Sequence, residues 1–229
     1  MSKLSVIIPA AGSGVRMGSD IPKPFLKVGG RTILEHTIAR FLEVPELTEI
    51  IIATSKDRIS DIHSMFERIS GNVILKVVEG GSERQFSIYN ALKEISDEAT
   101  LVGVHDAVRP FIRPKLIIEC CNIAEEFGGA VLGVPAKDTI KQVDDKNLIK
   151  ETPDRSFLWQ AQTPQVFQKE LFRKAYESAL DSDFIGTDDA SLVERIGGKV
   201  QMVEGDRENL KITYPVDLKI AELILGTGQ

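Results

Sequence analysis

Short apolar runs alternating with helical patterns constrain the fold of this chain more than any single motif does. Leu4 to Ile8 reads as a buried strand, and Glu49 to Ala53, Val73 to Val78, Leu101 to His105 and Gly129 to Val134 follow it. A helical pattern starting near Thr32 separates the first two runs. Lys56 to Ile69, Glu83 to Ile95 and Pro114 to Phe127 continue the alternation. Strands that are apolar on both faces belong in a parallel sheet covered by helices on each side. The expected architecture is therefore α/β, a mainly parallel, Rossmann-like sheet with helices on both faces. At 229 residues, without internal repeats or low-complexity stretches, the chain suits a single domain over 1–229.

Ligands in such sheets sit beyond the carboxyl ends of the strands. The loop after the first strand reads Pro9-Ala10-Ala11-Gly12-Ser13-Gly14-Val15-Arg16-Met17-Gly18. Residues lacking a Cβ let backbone N–H groups approach a phosphate, and Arg16 and Lys23 add cations close by. The glycine spacing is one residue longer than the dinucleotide fingerprint, and no Gly-Lys-Ser/Thr follows. Taken alone, the loop fits a polyphosphate site and a simple turn equally well. Glu79-Gly80-Gly81-Ser82-Glu83-Arg84 is a second strand-end turn, with Ser82 the expected cap of the helix it enters. His105-Asp106-Ala107-Val108-Arg109-Pro110 puts a carboxylate at a third strand end. There Asp106 would hold a ribose hydroxyl or a metal while Arg109 takes a phosphate, or the two would simply pair with each other.

After Val134 the pattern changes. Lys137 to Val143 and Leu148 to Thr152 alternate in period two around Asp144-Asp145-Lys146-Asn147, the signature of a β-hairpin. A two-stranded hairpin outside the main sheet is marginal alone, and Ile149, Phe157, Leu158 and Trp159 need a surface to cover. A protruding arm over 137–160 that clasps a second subunit is preferred to one folded back on its own domain. The tail reads as helix (Lys169 to Leu180), helix (Thr187 to Ile196), strand (Val200 to Glu204) and final helix (Val216 to Leu225). Lys211 lies in an alternating run where lysine normally faces solvent, and Asp188-Asp189 suits the positive end of a helix.

Composition narrows the chemistry. A formal net charge of −6 argues against nucleic acid and against acidic membranes as partners. No stretch nears the roughly 20 apolar residues that cross a bilayer, and the N-terminus has no signal-peptide layout. Cys120 and Cys121 are neighbours in a helix, pointing about 100° apart, so they read as buried free thiols of a cytoplasmic protein. His36, His63 and His105 show no metal-ligand spacing, and no nucleophile elbow is present. What recurs near strand ends is cations: Arg16, Lys23, Arg109, Arg155 and Lys211. A phosphate nucleophile is already ionised and needs no general base. An enzyme acting on it must bring two anions together and neutralise charge growing at phosphorus, with Mg²⁺ on a triphosphate helping.

Nearly end to end, the chain resembles the 2-C-methyl-D-erythritol 4-phosphate cytidylyltransferases. The resemblance is carried by Pro9-Ala10-Ala11-Gly12-x-Gly14-x-Arg16-Met17, Pro22-Lys23, Gly80-Gly81-x-x-Arg84, His105-Asp106-Ala107-x-Arg109-Pro110 and Asp138-Thr139. Asp154-Arg155, Thr163-Pro164-Gln165, Thr187-Asp188 and Asn209-x-Lys211-x-Thr213 complete it. It implies a nucleotidyltransferase-type sheet and in-line attack of a polyol phosphate on the α-phosphorus of CTP. By family likeness the catalytic residues are Arg16, Lys23, Arg155 and Lys211. Pro9, Ala10, Ala11, Gly12, Gly14, Gly80 and Ser87 would take the CTP base and phosphates, and Asp106 and Ala107 its ribose. Arg109, Thr139, Arg155, Thr163 and Thr187 would form the acceptor pocket, partly across a homodimer with exchanged arms. Mg²⁺, or another divalent cation, would be held mainly by the CTP phosphates, with Asp106 as its one candidate protein ligand.

Ribitol 5-phosphate cytidylyltransferases are the nearest alternative, but they tend to carry Ala-Gly where Ala10-Ala11 stands here. The surroundings of Asp138-Thr139 and Asp154-Arg155 also favour the erythritol acceptor. A nicotinamide dehydrogenase would want an acidic residue ending the second strand, where Ala53-Thr54-Ser55 stands. A non-catalytic nucleotide-binding module would not require Arg16, Lys23 and Lys211 together.

Overall fold

A computed structural model describes residues 2–12, 21–66 and 73–227. In chain order its elements begin with β1 (Leu4–Pro9), a short hairpin of β2 (Lys27–Val28) and β3 (Arg31–Thr32), α1 (Ile33–Phe41) and β4 (Leu47–Thr54). Then come α2 (Ile59–Phe66), β5 (Ile74–Glu79), α3 (Arg84–Leu92), β6 (Leu101–Val104), α4 (Pro114–Phe127) and β7 (Gly129–Pro135). A second hairpin of β8 (Gln142–Val143) and β9 (Ile149–Glu151) leads to β10 (Trp159–Gln168). The chain continues through α5 (Lys169–Asp181), α6 (Asp189–Arg195), β11 (Val200–Glu204) and α7 (Pro215–Thr227).

Seven strands form one sheet in the order β11-β7-β10-β6-β1-β4-β5. All neighbours run parallel except β10, which is antiparallel to both β6 and β7. The alternation along each strand divides the core between the two faces. Val6, Ile8, Ile50 and Ile52 face Leu34, Ile38, Phe41, Ile62, Ile117 and Cys120 from α1, α2 and α4. Ile7, Ile51 and Ala53 face Ile88, Ala91, Phe172, Tyr176 and Leu192 from α3, α5 and α6. Full burial of each such side chain contributes about 1.5–3 kcal/mol, so the two faces together hold the strand ends in place. A third cluster packs α7 through Ala221 onto Val28, Ile33, Phe111 and Ile212.

Local chemistry sets the element ends. Thr32 caps α1 through a capping box with Glu35. Pro114 opens α4, and Gly128, with φ 104°, closes it. Ser82 does not cap α3, contrary to expectation: Glu83 holds the N-cap position without a side-chain bond, and Ser87 Oγ instead accepts from the Gly81 N–H at 3.0 Å. The helix expected from Lys56 begins as a 3₁₀ turn over Lys56–Arg58 before α2 starts at Ile59.

β10 is the strand that the sequence pattern hides. Pro164 within it reads as a breaker, because proline donates nothing to a ladder. The structure accommodates it in a register shift between Ala161 and Gln165 against β7. Trp159 and Gln160 therefore belong to the main sheet, and the part of the 137–160 segment outside it ends at Leu158. Its hairpin is exposed, with Leu148 and Ile149 each 64% and Phe157 82% accessible.

Candidate active site

The carboxyl ends of β1, β5 and β6 open into a cleft of about 520 Å³. Pro9 to Gly12 form one wall and Gly81 to Arg84 with Ser87 another; Asp106 to Val108, Lys23, Pro24 and Lys211 complete it. Gly80 lets the two turns approach: a Cβ there would lie 2.6 Å from the Ala11 Cβ and 3.1 Å from Ser87 Oγ. Backbone bonds set the turns relative to the sheet, Ala10 N–H donating to Ala53 O at 2.7 Å and Gly80 N–H to Thr54 O at 2.8 Å. Gly14 and Arg16 lie outside the described residues.

Electrostatics centre on Asp106. Its Oδ2 lies 2.9 Å from Lys211 Nζ and 3.3 Å from Arg109 Nε, and its Oδ1 lies 3.7 Å from Arg84 Nε. Burial pushes this carboxyl up, but Lys211, Arg84 and Arg109 outweigh it and hold the group well below the usual carboxylate range. The alternative of a plain Asp106–Arg109 pair is thus part of a larger cluster. Lys211 is exposed, as its alternating run suggests, yet its ammonium reaches Asp106; Ile212 N–H donates to Val108 O at 2.9 Å and ties its loop to the Asp106 turn. Lys23, 8% exposed, sits in a 3₁₀ turn over Lys23–Phe25, and its Nζ donates to Thr213 O at 2.9 Å.

Several expected residues sit behind the cleft. Arg109 is buried, donating from Nη1 to Asn209 O at 2.8 Å as well as facing Asp106. Thr163 is buried, its Oγ1 accepting from Asp106 N–H at 3.1 Å. Neither lines the cleft. Ser87 does line it, yet its hydroxyl is engaged with the Gly81 turn and with Glu83 O at 3.1 Å. Thr187 borders a smaller recess of about 100 Å³, which shares Glu83 and Arg84 with the main cleft. Thr139 and Arg155 are exposed on the arm, away from the cleft of this chain, and Arg155 Nη1 donates to Lys137 O at 2.9 Å.

Two functional candidates went unread in the sequence. Arg84 Nη2 lies 2.8 Å from Asp189 Oδ2, so one guanidinium spans Asp189 and Asp106. Asp189, 1% exposed, also accepts from Tyr176 OH at 2.6 Å. Asp188 is the true N-cap of α6, in a capping box with Ser191. The usable signal was the doubled aspartate itself: one carboxylate can cap, and the other, if buried, requires a cation.

Known proteins match this arrangement over nearly its full length. The family model described as IspD, 2-C-methyl-D-erythritol 4-phosphate cytidylyltransferase, matches residues 4–227. A 2-C-methyl-D-erythritol 4-phosphate cytidylyltransferase of Clostridioides difficile is 46% identical over 222 residues, covering 97% of this chain and 93% of that protein. One from Caldanaerobacter subterraneus is 44% identical over 223 residues, covering 97% and 98%. The crystal structure of 4-diphosphocytidyl-2C-methyl-D-erythritol synthase from Anaerococcus prevotii superposes with a TM-score of 0.88 at 36% identity, over 98% of this chain and 96% of that one. A parallel sheet with a cationic cleft at its strand ends is common to many enzymes; matched over this length and at these identities, it places the chain in the 2-C-methyl-D-erythritol 4-phosphate cytidylyltransferase family.

Proposed function

We propose that this chain transfers CMP from CTP to 2-C-methyl-D-erythritol 4-phosphate. The products are 4-diphosphocytidyl-2-C-methyl-D-erythritol and pyrophosphate, a step of the non-mevalonate route to isoprenoid precursors. The observation that carries the reading is the approach of Lys23, Lys211 and the Asp106 turn to one cleft at the strand ends. An oxygen of the acceptor phosphate attacks the α-phosphorus of CTP, the bond to the bridging oxygen breaks, and pyrophosphate leaves with the electron pair. The nucleophile is ionised beforehand, so the protein has no proton to remove. Its task is to hold two polyanions in line and to match the charge that grows on the phosphorus oxygens. Lys23 and Arg16 would act on those oxygens. Lys211, held in reserve by Asp106, would take the phosphates of both substrates.

Among the described residues no cluster of three or more His, Cys, Asp or Glu is found. The Asp106 carboxylate in the cleft lining suits Mg²⁺, which typically takes one or two carboxylates and completes its shell with substrate phosphates and water. Asp106 would be the protein's contribution, and the ion would supply charge neutralisation on the triphosphate. We extend the reading to a homodimer in which the arm of each copy brings Thr139 and Arg155 to the other's acceptor pocket; the exposed Phe157, Leu148 and Ile149 support it. A reducing, cytoplasmic setting is supported by Cys120 and Cys121, both buried and unpaired, with burial pushing their thiol pKa values up.

The test follows pyrophosphate release from Mg²⁺ and CTP with each acceptor in turn. Release with the erythritol phosphate is expected. Release with ribitol 5-phosphate alone would change the acceptor, and CTP binding without any release would leave a non-catalytic module.

A further inference from the structure

His105 is wholly buried beneath the cleft and does not line it. Its Nε2 lies 3.1 Å from Arg109 O. A carbonyl only accepts, so Nε2 carries the ring proton. The ring packs edge-on to Phe41 at 4.9 Å between centroids, and neither of its nitrogens is bonded to a carboxylate. With the ring proton on Nε2, Nδ1 presents a lone pair. Thr163 Oγ1 lies 3.1 Å from that nitrogen and gives it its single hydroxyl proton. The same oxygen accepts the Asp106 N–H at 3.1 Å. Thr163 O meanwhile accepts from Asn209 Nδ2 at 2.9 Å, at the start of the loop that carries Lys211. Both members of the Asp106–Lys211 pair are thus anchored on Thr163, whose hydroxyl direction is set by an imidazole.

Building on the cytidylyl-transfer reading, we infer that His105 and Thr163 are positioning residues for that reaction. His105 Nδ1 orients the Thr163 hydroxyl, and the hydroxyl fixes the Asp106 backbone and with it the Asp106–Lys211 pair. The relay commits the Thr163 proton inward, away from any substrate phosphate.

Three substitutions separate this role from its rivals. Thr163→Val keeps the volume and removes the hydroxyl. His105→Gln keeps a donor toward Arg109 O and removes the Nδ1 acceptor, while His105→Asn keeps an acceptor near Nδ1. Thr163→Val and His105→Gln are expected to lower kcat roughly 10- to 100-fold, with the acceptor KM moving less than about threefold. Combined, they should be no slower than the worse single variant, as members of one network are. Thr163→Ser should restore most of the rate, and His105→Asn should lose less than His105→Gln. A large rise in acceptor KM at unchanged kcat for Thr163→Val would make Thr163 a direct ligand and overturn the inference. So would multiplicative losses in the double variant, or a lower melting temperature with kcat intact. Failure of the wild-type protein to release pyrophosphate would instead sink the cytidylyl-transfer reading. Nitrogen-15 NMR of the His105 ring, assigned with His105→Gln, tests the relay without catalysis. A proton on Nε2 and none on Nδ1 is expected, and the reverse tautomer overturns it.

Discussion

Asp106 gathers cations, and its neighbours show how little of that depends on nearby sequence. Arg109 is three residues away and Lys211 is far along the chain, yet both reach the same oxygen at 3.3 and 2.9 Å. Lys23 and Asp106 were legible because strand ends in this kind of sheet point to the ligand. The reach of Lys211 to Asp106 was not, since an alternating run says nothing about the bond from Ile212 N–H to Val108 O. Arg84 and Asp189 were missed for a similar reason: the partner that stabilises a buried carboxylate comes from another helix. Lys23→Ala should lower kcat by about 10²–10³, the usual cost of removing one donor to developing charge, while thermal melting shows an intact fold. Near-normal turnover in that variant would remove Lys23 from the mechanism.

Residue chemistry also predicts a pH effect on stability. Burial lowers the His105 pKa from 6.5 to about 4; the bond to the Arg109 carbonyl and the Asp106 charge raise it in part, and the Arg109 and Lys211 charges lower it further. As pH falls, the unfolded chain takes up this proton before the folded one. The stabilising contribution is therefore complete above about pH 6.5 and is lost progressively toward pH 4, at roughly 1 kcal/mol per pH unit. Urea unfolding at a series of pH values should show that slope in the wild type and a shallower one in His105→Gln. Equal slopes would mean that His105 is not the group responsible.

At the level of elements, the parallel β-α succession was readable because its strands are apolar on both faces and its helices amphipathic. β10 was not readable, since Pro164 and the polar Gln160, Gln162 and Gln165 mask a strand whose pairing depends on β6 and β7. That strand matters to the site: Thr163, beneath Asp106, belongs to it. The Gly80 turn gives a sharper test of an element's role. Gly80→Ala would drive its Cβ to 2.6 Å from the Ala11 Cβ, so the two turns must separate. The expected outcome is about 1–3 kcal/mol of lost stability and weaker CTP binding by calorimetry. Unaltered CTP affinity would mean that the Gly80 turn does not shape the nucleotide site.

At the scale of the whole molecule, an acidic chain of net charge −6 gathers cations at one cleft and leaves Leu148, Ile149 and Phe157 exposed on the 137–160 segment. Sedimentation should find a dimer. Phe157→Asp, which places a charge on the arm's most exposed apolar side chain, should weaken association and lower activity together. A fully active monomer would rule out shared sites. The claim on which the account turns is that fixed cations, with no general base, let two polyanions react. Its most direct test is the single-turnover rate of CMP transfer, by rapid quench at saturating CTP and 2-C-methyl-D-erythritol 4-phosphate, in the wild type and in Lys211→Gln. The account predicts a fall of about 10²-fold or more with CTP still bound; an unchanged rate in Lys211→Gln would contradict it.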